Sequence, residues 1–257
     1  MMDNTFRKSD ARDRDFFRAE VAGLDWLRAG GGPAVEVVDV GDDFIELERL
    51  TTTRPDAHAA RAFGAALARM HDSGARLFGS PPEGYDGRQF IGQRPLSSAT
   101  YESWGTFYAA ERVLPYLRAA VDARYLDADD AAVTRDACAA IADGIFDDDD
   151  APARIHGDLW NGNVLWTPRG VMLIDPAAHG GHRETDLAML TLFGCPCLDE
   201  IVRGYQDRHP LHAGWSERVP MHQLHPLAVH AAGRGPSYGT ALGRAARATL
   251  ALAGRGQ

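Results

Sequence analysis

The sequence predicts an α+β fold in two lobes, a small β-rich lobe over residues 1–53 and a mainly helical lobe over 54–257. Three observations carry that expectation. Residues 35–40 and 44–50 alternate apolar and polar side chains around the Gly41-Asp-Asp43 turn, the pattern of a strand pair. From Asp56 onward apolar residues recur mainly at helical spacing. Within 154–177 that pattern gives way to a polar loop and two short β-rich runs joined by a turn.

Taken in order, residues 5–8 read as a short strand and 9–15 as a charged turn. Phe17, Val21, Leu24 and Leu27 then repeat with a helical period, and Gly30-Gly-Gly-Pro33 stops the helix. The two strands that follow lead into a linker over 51–55, with a hinge near 48–53. An alanine-rich amphipathic helix covers 58–70 and closes on Met70-His71-Asp72, where His71 reads as a capping or core histidine. Residues 81–95 read as a Gly/Pro-rich loop and 104–120 as one helix, whose Trp104, Phe107, Tyr108 and Tyr116 suit a core stripe. Asp127, Asp129 and Asp130 favour the start of the next helix through its dipole. The four aspartates 147–150 read as a solvated loop rather than a metal site, since adjacent side chains diverge. A further helix, opened by acidic residues, covers 184–193.

Composition excludes several classes of function. Hydrophobic residues make up 45% and charged residues 25% of the chain, which is enough for a globular core. A net charge of −9 argues against a nucleic-acid surface, and no apolar run is long enough for a membrane span. The polar start lacks a signal peptide's apolar core, and three cysteines, two of them flanking Pro196, suit reduced thiols in the cytoplasm. His209, His212, His222, His225 and His230 invite a zinc reading. Pro210 and Pro226 interrupt the regular helical spacing that such ligands need, and the reading is set aside.

The chemistry concentrates in the hairpin. His156-Gly-Asp-Leu-Trp-Asn-Gly-Asn163 is followed by a strand over 164–166, a turn over 167–170, a strand over 171–174, and Asp175. His-x-Asp-x4-Asn with a strand-terminal Asp one hairpin later is the layout of a phosphoryl-transfer loop. A carboxylate there accepts the proton of an attacking hydroxyl, and hard oxygen ligands suit Mg²⁺ beside phosphates. Asp158 takes the first role, Asn163 and Asp175 the second, with ATP and Mg²⁺ as cofactors. The bland alternative is a structural hairpin with polar ends, which a chance match of this whole pattern makes rare.

These residues, with Asp175-Pro-Ala177, the 180–188 segment Gly-Gly-His-Arg-Glu-Thr-Asp-Leu-Ala and Phe193-Gly194, resemble the fructosamine kinase (ketosamine 3-kinase) family. Leu159-Trp160 after the aspartate distinguishes that family from its relatives, and the resemblance runs from about Phe6 to the C-terminal helix. It implies a protein-kinase-like fold of the aminoglycoside and choline phosphotransferase type. It also implies phosphorylation of a ketosamine on its 3-hydroxyl, a modification that destabilises the adduct and removes early glycation from amines or proteins. By the same resemblance Lys8 and Glu20 form the lysine–glutamate pair at the phosphates, and backbone near Glu48 to Leu50 meets adenine. Asp186 braces the catalytic loop beside His156, and His230 and Tyr238 fall on the acceptor side. The 231–237 segment departs from the family's pattern there. Trp160 can stack on a sugar ring as an acceptor platform, or pack inward as a core aromatic.

One part expected of such a lobe is missing. Only seven residues precede Lys8 and no glycine occurs before Gly23, so no glycine-rich hairpin covers the phosphates. Either the lobe is reduced, or the recorded start lies downstream of the true one. Two rival functions stay open: the same chemistry on an aminoglycoside or choline, and a nucleotide-binding pseudokinase.

Overall fold

A computed structural model describes residues 4–10 and 13–255. Residues 1–3 of the polar start, residues 11–12 of the expected charged turn and the last two residues of the chain lie outside these. By packing, the chain falls into two compact units: Met1–Arg76, Ser80–Ser98 and Ala151–Leu211 form one, and Leu77–Gly79, Ala99–Asp150 and His212–Gln257 the other. The expected N-terminal segment and the 154–177 hairpin therefore share one unit.

The first unit begins with a three-stranded antiparallel sheet of β1 (Thr5–Ser9), β2 (Val37–Val40) and β3 (Phe44–Glu48) in the order β1-β3-β2. Between β1 and β2 lies helix α1 (Arg14–Ala29), capped by Asp13, whose carboxylate accepts from the Asp15 amide. Its buried face carries Phe17, Glu20, Leu24 and Leu27, so one acid sits within an otherwise apolar stripe. Helix α2 (Ala57–Asp72) is capped by Asp56 and packs closely on α7 (Leu198–Gln206). A Cβ on Gly64 would stand 1.9 Å from the Ile201 carbonyl, and one on Gly204 2.0 Å from that of Arg61. The two glycines let the helix backbones touch.

The central hairpin of this unit is β7 (Val164–Thr167) with β8 (Gly170–Leu173), in the register Val164↔Leu173 to Thr167↔Gly170. It follows β6 (Ala153–Ile155), which pairs with β9 (His179–Gly181), and precedes helix α6 (Arg183–Leu192). The hairpin is tied to the N-terminal portion by the Val35 amide donating to the Leu173 carbonyl at 2.9 Å and Thr53 to Trp166 at 2.8 Å. The expected loop over 81–95 is only partly a loop. Gln89–Ile91 and Arg94–Leu96 form the antiparallel pair β4–β5, turned at Gly92 (φ +52°), and Pro95 lies in its outer strand.

The second unit is helical. The expected single helix over 104–120 is broken into α3 (Trp104–Phe107), a π-helical turn Tyr108–Val113 and α4 (Leu114–Asp122). Pro115 has no N–H to return to the Glu111 carbonyl, and the Arg112 guanidinium donates to that carbonyl instead, at 3.3 Å. Trp104, Phe107, Tyr108 and Tyr116 are buried core residues. Asp147 is not simply solvated: its carboxylate caps α3, accepting from the Gly105 amide at 2.9 Å and the Ser103 hydroxyl at 2.8 Å. Helix α5 (Ala128–Ala142) packs on the C-terminal α10 (Pro236–Ala253), and α8 (Trp215–His222) and α9 (Leu224–Ala231) complete the unit. No helix among the described residues is long and apolar enough to cross a membrane.

Candidate active site

The site is a loop held open by its own backbone. Gly157 adopts φ +78°, and a Cβ there would stand 2.3 Å from the Ala177 carbonyl, so only glycine joins His156 to Asp158 in this shape. Leu159 is fully buried and pins the loop from below. His156 is buried and held neutral, because burial lowers its pKa further than the nearby carboxylates raise it. Its Nε2–H donates to the Ile174 carbonyl at 3.0 Å, which leaves Nδ1 to accept from the Asp158 amide at 3.2 Å. Thus His156 ties the end of β8 to the loop.

Asn163 orients the acidic groups. Its amide nitrogen donates to the Asp158 carbonyl at 2.7 Å, to Asp158 Oδ2 at 3.3 Å and to the Asp175 carbonyl at 3.4 Å. Three oxygen neighbours fix which end of the amide is nitrogen, and the Asn163 oxygen remains to act as a ligand atom. Asp175 has φ +54°, a left-handed conformation that non-glycine residues adopt at some cost. Such an outlier at the end of a strand turns the carboxylate out of the sheet. Lys8 reaches Asp175 Oδ1 at 2.5 Å and also pairs with Glu20 Oε1. Residues 8, 20 and 175, far apart in sequence, meet in one cluster.

The electrostatics separate these groups. Desolvation pushes the Asp158 carboxyl up to about 7, the Asn163 hydrogen bond opposes this, and the charges of Asp175 and Asp186 add to it. Glu20 is likewise pushed up to about 7, chiefly by burial, although Lys8 pulls it down. Burial works against the Lys8 cation, yet Glu20 and Asp175 together hold it above its ordinary value. Asp186 takes the opposite course from Asp158. Burial would raise it, but His71, His156 and the loop's backbone hold it below the usual carboxylate range. Its Oδ2 accepts from the His156 amide at 2.7 Å and its Oδ1 from the Gly157 amide at 3.0 Å.

Other residues singled out in the sequence fall as follows. The Glu48 amide donates to the Glu36 carbonyl at 2.9 Å and the Arg49 amide to Asn4 at 3.0 Å. The Glu48 side chain pairs with Arg169 at 2.5 Å. The Glu48 and Arg49 amides are therefore engaged within the sheet and its edge. Trp160 is 40% exposed and stands edge-on to Phe193, also 40% exposed, with ring centroids 5.9 Å apart, so it is not a core aromatic. His230 and Tyr238 lie together in the second unit, rings 4.8 Å apart and both half-buried. Sequence reasoning places His71 only at the end of a helix, whereas its Nε2 touches Asp186 Oδ2 at 3.2 Å. No local signal marks that contact, which spans 115 residues of chain.

Comparison with known proteins decides the family. The family model described as fructosamine kinase matches residues 3–251. The chain belongs to the fructosamine kinase family. A Klebsiella aerogenes protein named "Probable ketoamine kinase" is 32% identical over 230 residues, 86% of this chain and 77% of that one. One of the same name from Lactiplantibacillus plantarum is 32% identical over 242 residues, 90% and 81% of the two chains. The crystal structure of a candidate fructosamine-3-kinase from Thermobifida fusca superposes with a TM-score of 0.88 at 44% identity, covering 96% of this chain and 85% of the other. Aminoglycoside phosphotransferase APH(4)-Ia, held with AMP-PNP and hygromycin B, shares the fold at a TM-score of 0.62 and 18% identity. Members of the fructosamine kinase family are ATP-dependent phosphotransferases, and this chain is one, with an α+β, protein-kinase-like fold.

Proposed function

We propose that the chain phosphorylates a ketosamine on its 3-hydroxyl, in an ATP- and Mg²⁺-dependent reaction that removes glycation adducts. The observation that supports this best is the pairing of a raised Asp158 carboxyl with an exposed Trp160 two residues on, in a family of sugar-amine kinases. The acceptor sugar stacks its apolar face on Trp160, with Phe193 beside it, and points one hydroxyl at Asp158. Asp158 orients that hydroxyl and accepts its proton as the oxygen attacks the γ-phosphorus and the bond to the β-phosphate oxygen breaks. A carboxyl titrating near neutrality suits this task, since about half of it is ionised at neutral pH and the ionised form is basic enough to take a proton. Lys8, steadied by Glu20, binds the phosphates, and backbone near Glu48 to Leu50 meets adenine.

The Asn163 and Asp175 oxygens form a hard donor set of the kind Mg²⁺ takes alongside phosphate oxygens, and they would hold it. Bound there, the ion neutralises charge on the phosphates. The acceptor is a small molecule or a protein-bound adduct, and the free thiols Cys138, Cys195 and Cys197 suit the reducing cytoplasm.

ATP consumption measured with ribulose-lysine and fructose-lysine, beside kanamycin and choline, tests the reading. Turnover confined to the lysine adducts is expected. Turnover on kanamycin or choline alone overturns it. ATP affinity that does not change on adding magnesium removes the Asn163–Asp175 metal site.

A further inference from the structure

A buried hydrogen-bond chain runs from the end of α2 to the catalytic loop. Arg183 Nη1 donates to Asp72 Oδ1 and to the Tyr205 hydroxyl, both at 3.2 Å. The Tyr205 hydroxyl lies 2.8 Å from His71 Nδ1, and His71 Nε2 lies 3.2 Å from Asp186 Oδ2. Tyr205 and Asp186 are fully buried, His71 is 1% exposed and Arg183 6%. Asp72, at the outer end, also meets His209 at 3.0 Å and Arg208 at 3.5 Å.

The chemistry of the groups sets the direction of every proton. A guanidinium can only donate, so the Tyr205 oxygen accepts from Arg183 and turns its own hydrogen toward His71 Nδ1. From the other end, an ionised Asp186 can only accept, so His71 must present Nε2–H to it. Burial lowers the His71 pKa and keeps the ring neutral, and a neutral ring with a proton on Nε2 has an acceptor at Nδ1. Both ends demand the same tautomer. Asp186 thus receives one donor from His71 and two from the backbone of His156 and Gly157.

We propose that Tyr205 and Arg183 are positioning residues for phosphoryl transfer. By holding the His71 ring in place they aim Asp186 at the His156 and Gly157 amides, and so set where Asp158 stands. The proposal rests on reading residues 156–163 as the catalytic loop.

Tyr205→Phe removes the hydroxyl and little else. Three readouts follow it: ¹⁵N NMR of the His71 ring, hydrogen exchange at the His156 and Gly157 amides, and turnover of MgATP with ribulose-lysine. The native ring is expected as the Nε2–H tautomer. In Tyr205→Phe the Nε2–H tautomer persists, because Asp186 still demands it, while faster exchange at both amides and a kcat lower by about tenfold are expected, the scale of one lost hydrogen bond, with KM for ATP within about twofold. Unchanged exchange at both amides overturns the proposal, as does a kcat that falls only in step with the melting temperature. Should Tyr205→Phe fold poorly, Arg183→Met removes the donor to the Tyr205 oxygen while Asp72 keeps His209 and Arg208, and the same three readouts apply. Asp158→Asn separates the two readings. If that variant stays active, the catalytic-loop reading fails, whatever Tyr205 does. If it is inactive while Tyr205→Phe matches native enzyme in all three readouts, the positioning chain alone fails.

Discussion

Asp158 and Asp186 are two buried aspartates of one loop assembly whose neighbours have driven them in opposite directions. Asp158 has one side-chain hydrogen bond, from Asn163, and two carboxylates for neighbours, and its carboxyl rises to about 7. Asp186 is more deeply buried, yet three donors converge on it and it stays below the ordinary range. Burial sets the size of the desolvation penalty, and the count of donors decides whether the charge survives it. One carboxyl is thereby left basic enough to take a proton, and the other is a fixed anion around which the loop is built. Function and stability are divided between them.

The sharpest way to break this comparison is to neutralise each in turn. Asp158→Asn should lower turnover by about a hundredfold or more, with ATP affinity nearly unchanged, because a proton acceptor is lost and no metal ligand is. Steady-state kinetics beside calorimetry of MgATP binding measures both. An Asn variant that keeps most of its activity on a ketosamine removes Asp158 from the chemistry.

Stability should move the other way. Asp186→Asn leaves buried backbone amides facing an amide in place of an anion, and is expected to cost about 2–4 kcal/mol, or roughly 5–15 °C in Tm. The Asp186 pKa is depressed in the folded state. Its contribution is therefore full above the ordinary carboxylate value and is lost as pH falls through the folded pKa. Asp158 has the reverse sign. Its folded pKa, about 7, lies above the ordinary value of 3.8, so the folded state binds more protons between the two and stability falls as pH rises through that window. Asp158→Asn should accordingly raise Tm by about 2–5 °C at pH 8, with the gain fading toward pH 4. Melting curves of the three proteins at pH 4, 6 and 8 check both signs.

The smallest expected effect is at Trp160. Trp160→Ala should weaken kcat/KM for the ketosamine by about threefold to tenfold, the scale of an aromatic stacking contact, and leave the KM for ATP unchanged. Its exposure makes a global loss of fold the unexpected result, and equal losses toward both substrates would take the acceptor role from it.

The same contrast explains what could be read from the sequence. Asp158, Asn163 and Asp175 were legible because the loop and hairpin that place them are local: a glycine at a left-handed position, a short strand pair and an eight-residue motif say where each side chain goes. Lys8 and Glu20 were legible through their elements, a strand and the helix after it. The His71 contact with Asp186, and the Tyr205 hydroxyl behind it, were not. His71 and Tyr205 stand 134 residues apart, and nothing in their local sequence shows that a hydroxyl and an imidazole meet. The β4–β5 pair was hidden by composition, since Gly92 and Pro95 read as loop residues wherever an outer strand tolerates them. The π-helical turn depends on what Pro115 withholds from a carbonyl four residues back, which a hydrophobic period does not report.

The central claim is the opposite ionisation of the two aspartates, and it can be observed without any substrate. Carboxyl ¹³C chemical shifts of Asp158 and Asp186, assigned through the Asp158→Asn and Asp186→Asn variants, should be followed from pH 4 to 9. The account predicts that Asp158 titrates with a midpoint near 7 while Asp186 remains ionised throughout. An Asp158 carboxyl already ionised at pH 5, or an Asp186 carboxyl that takes up a proton above it, would contradict the account.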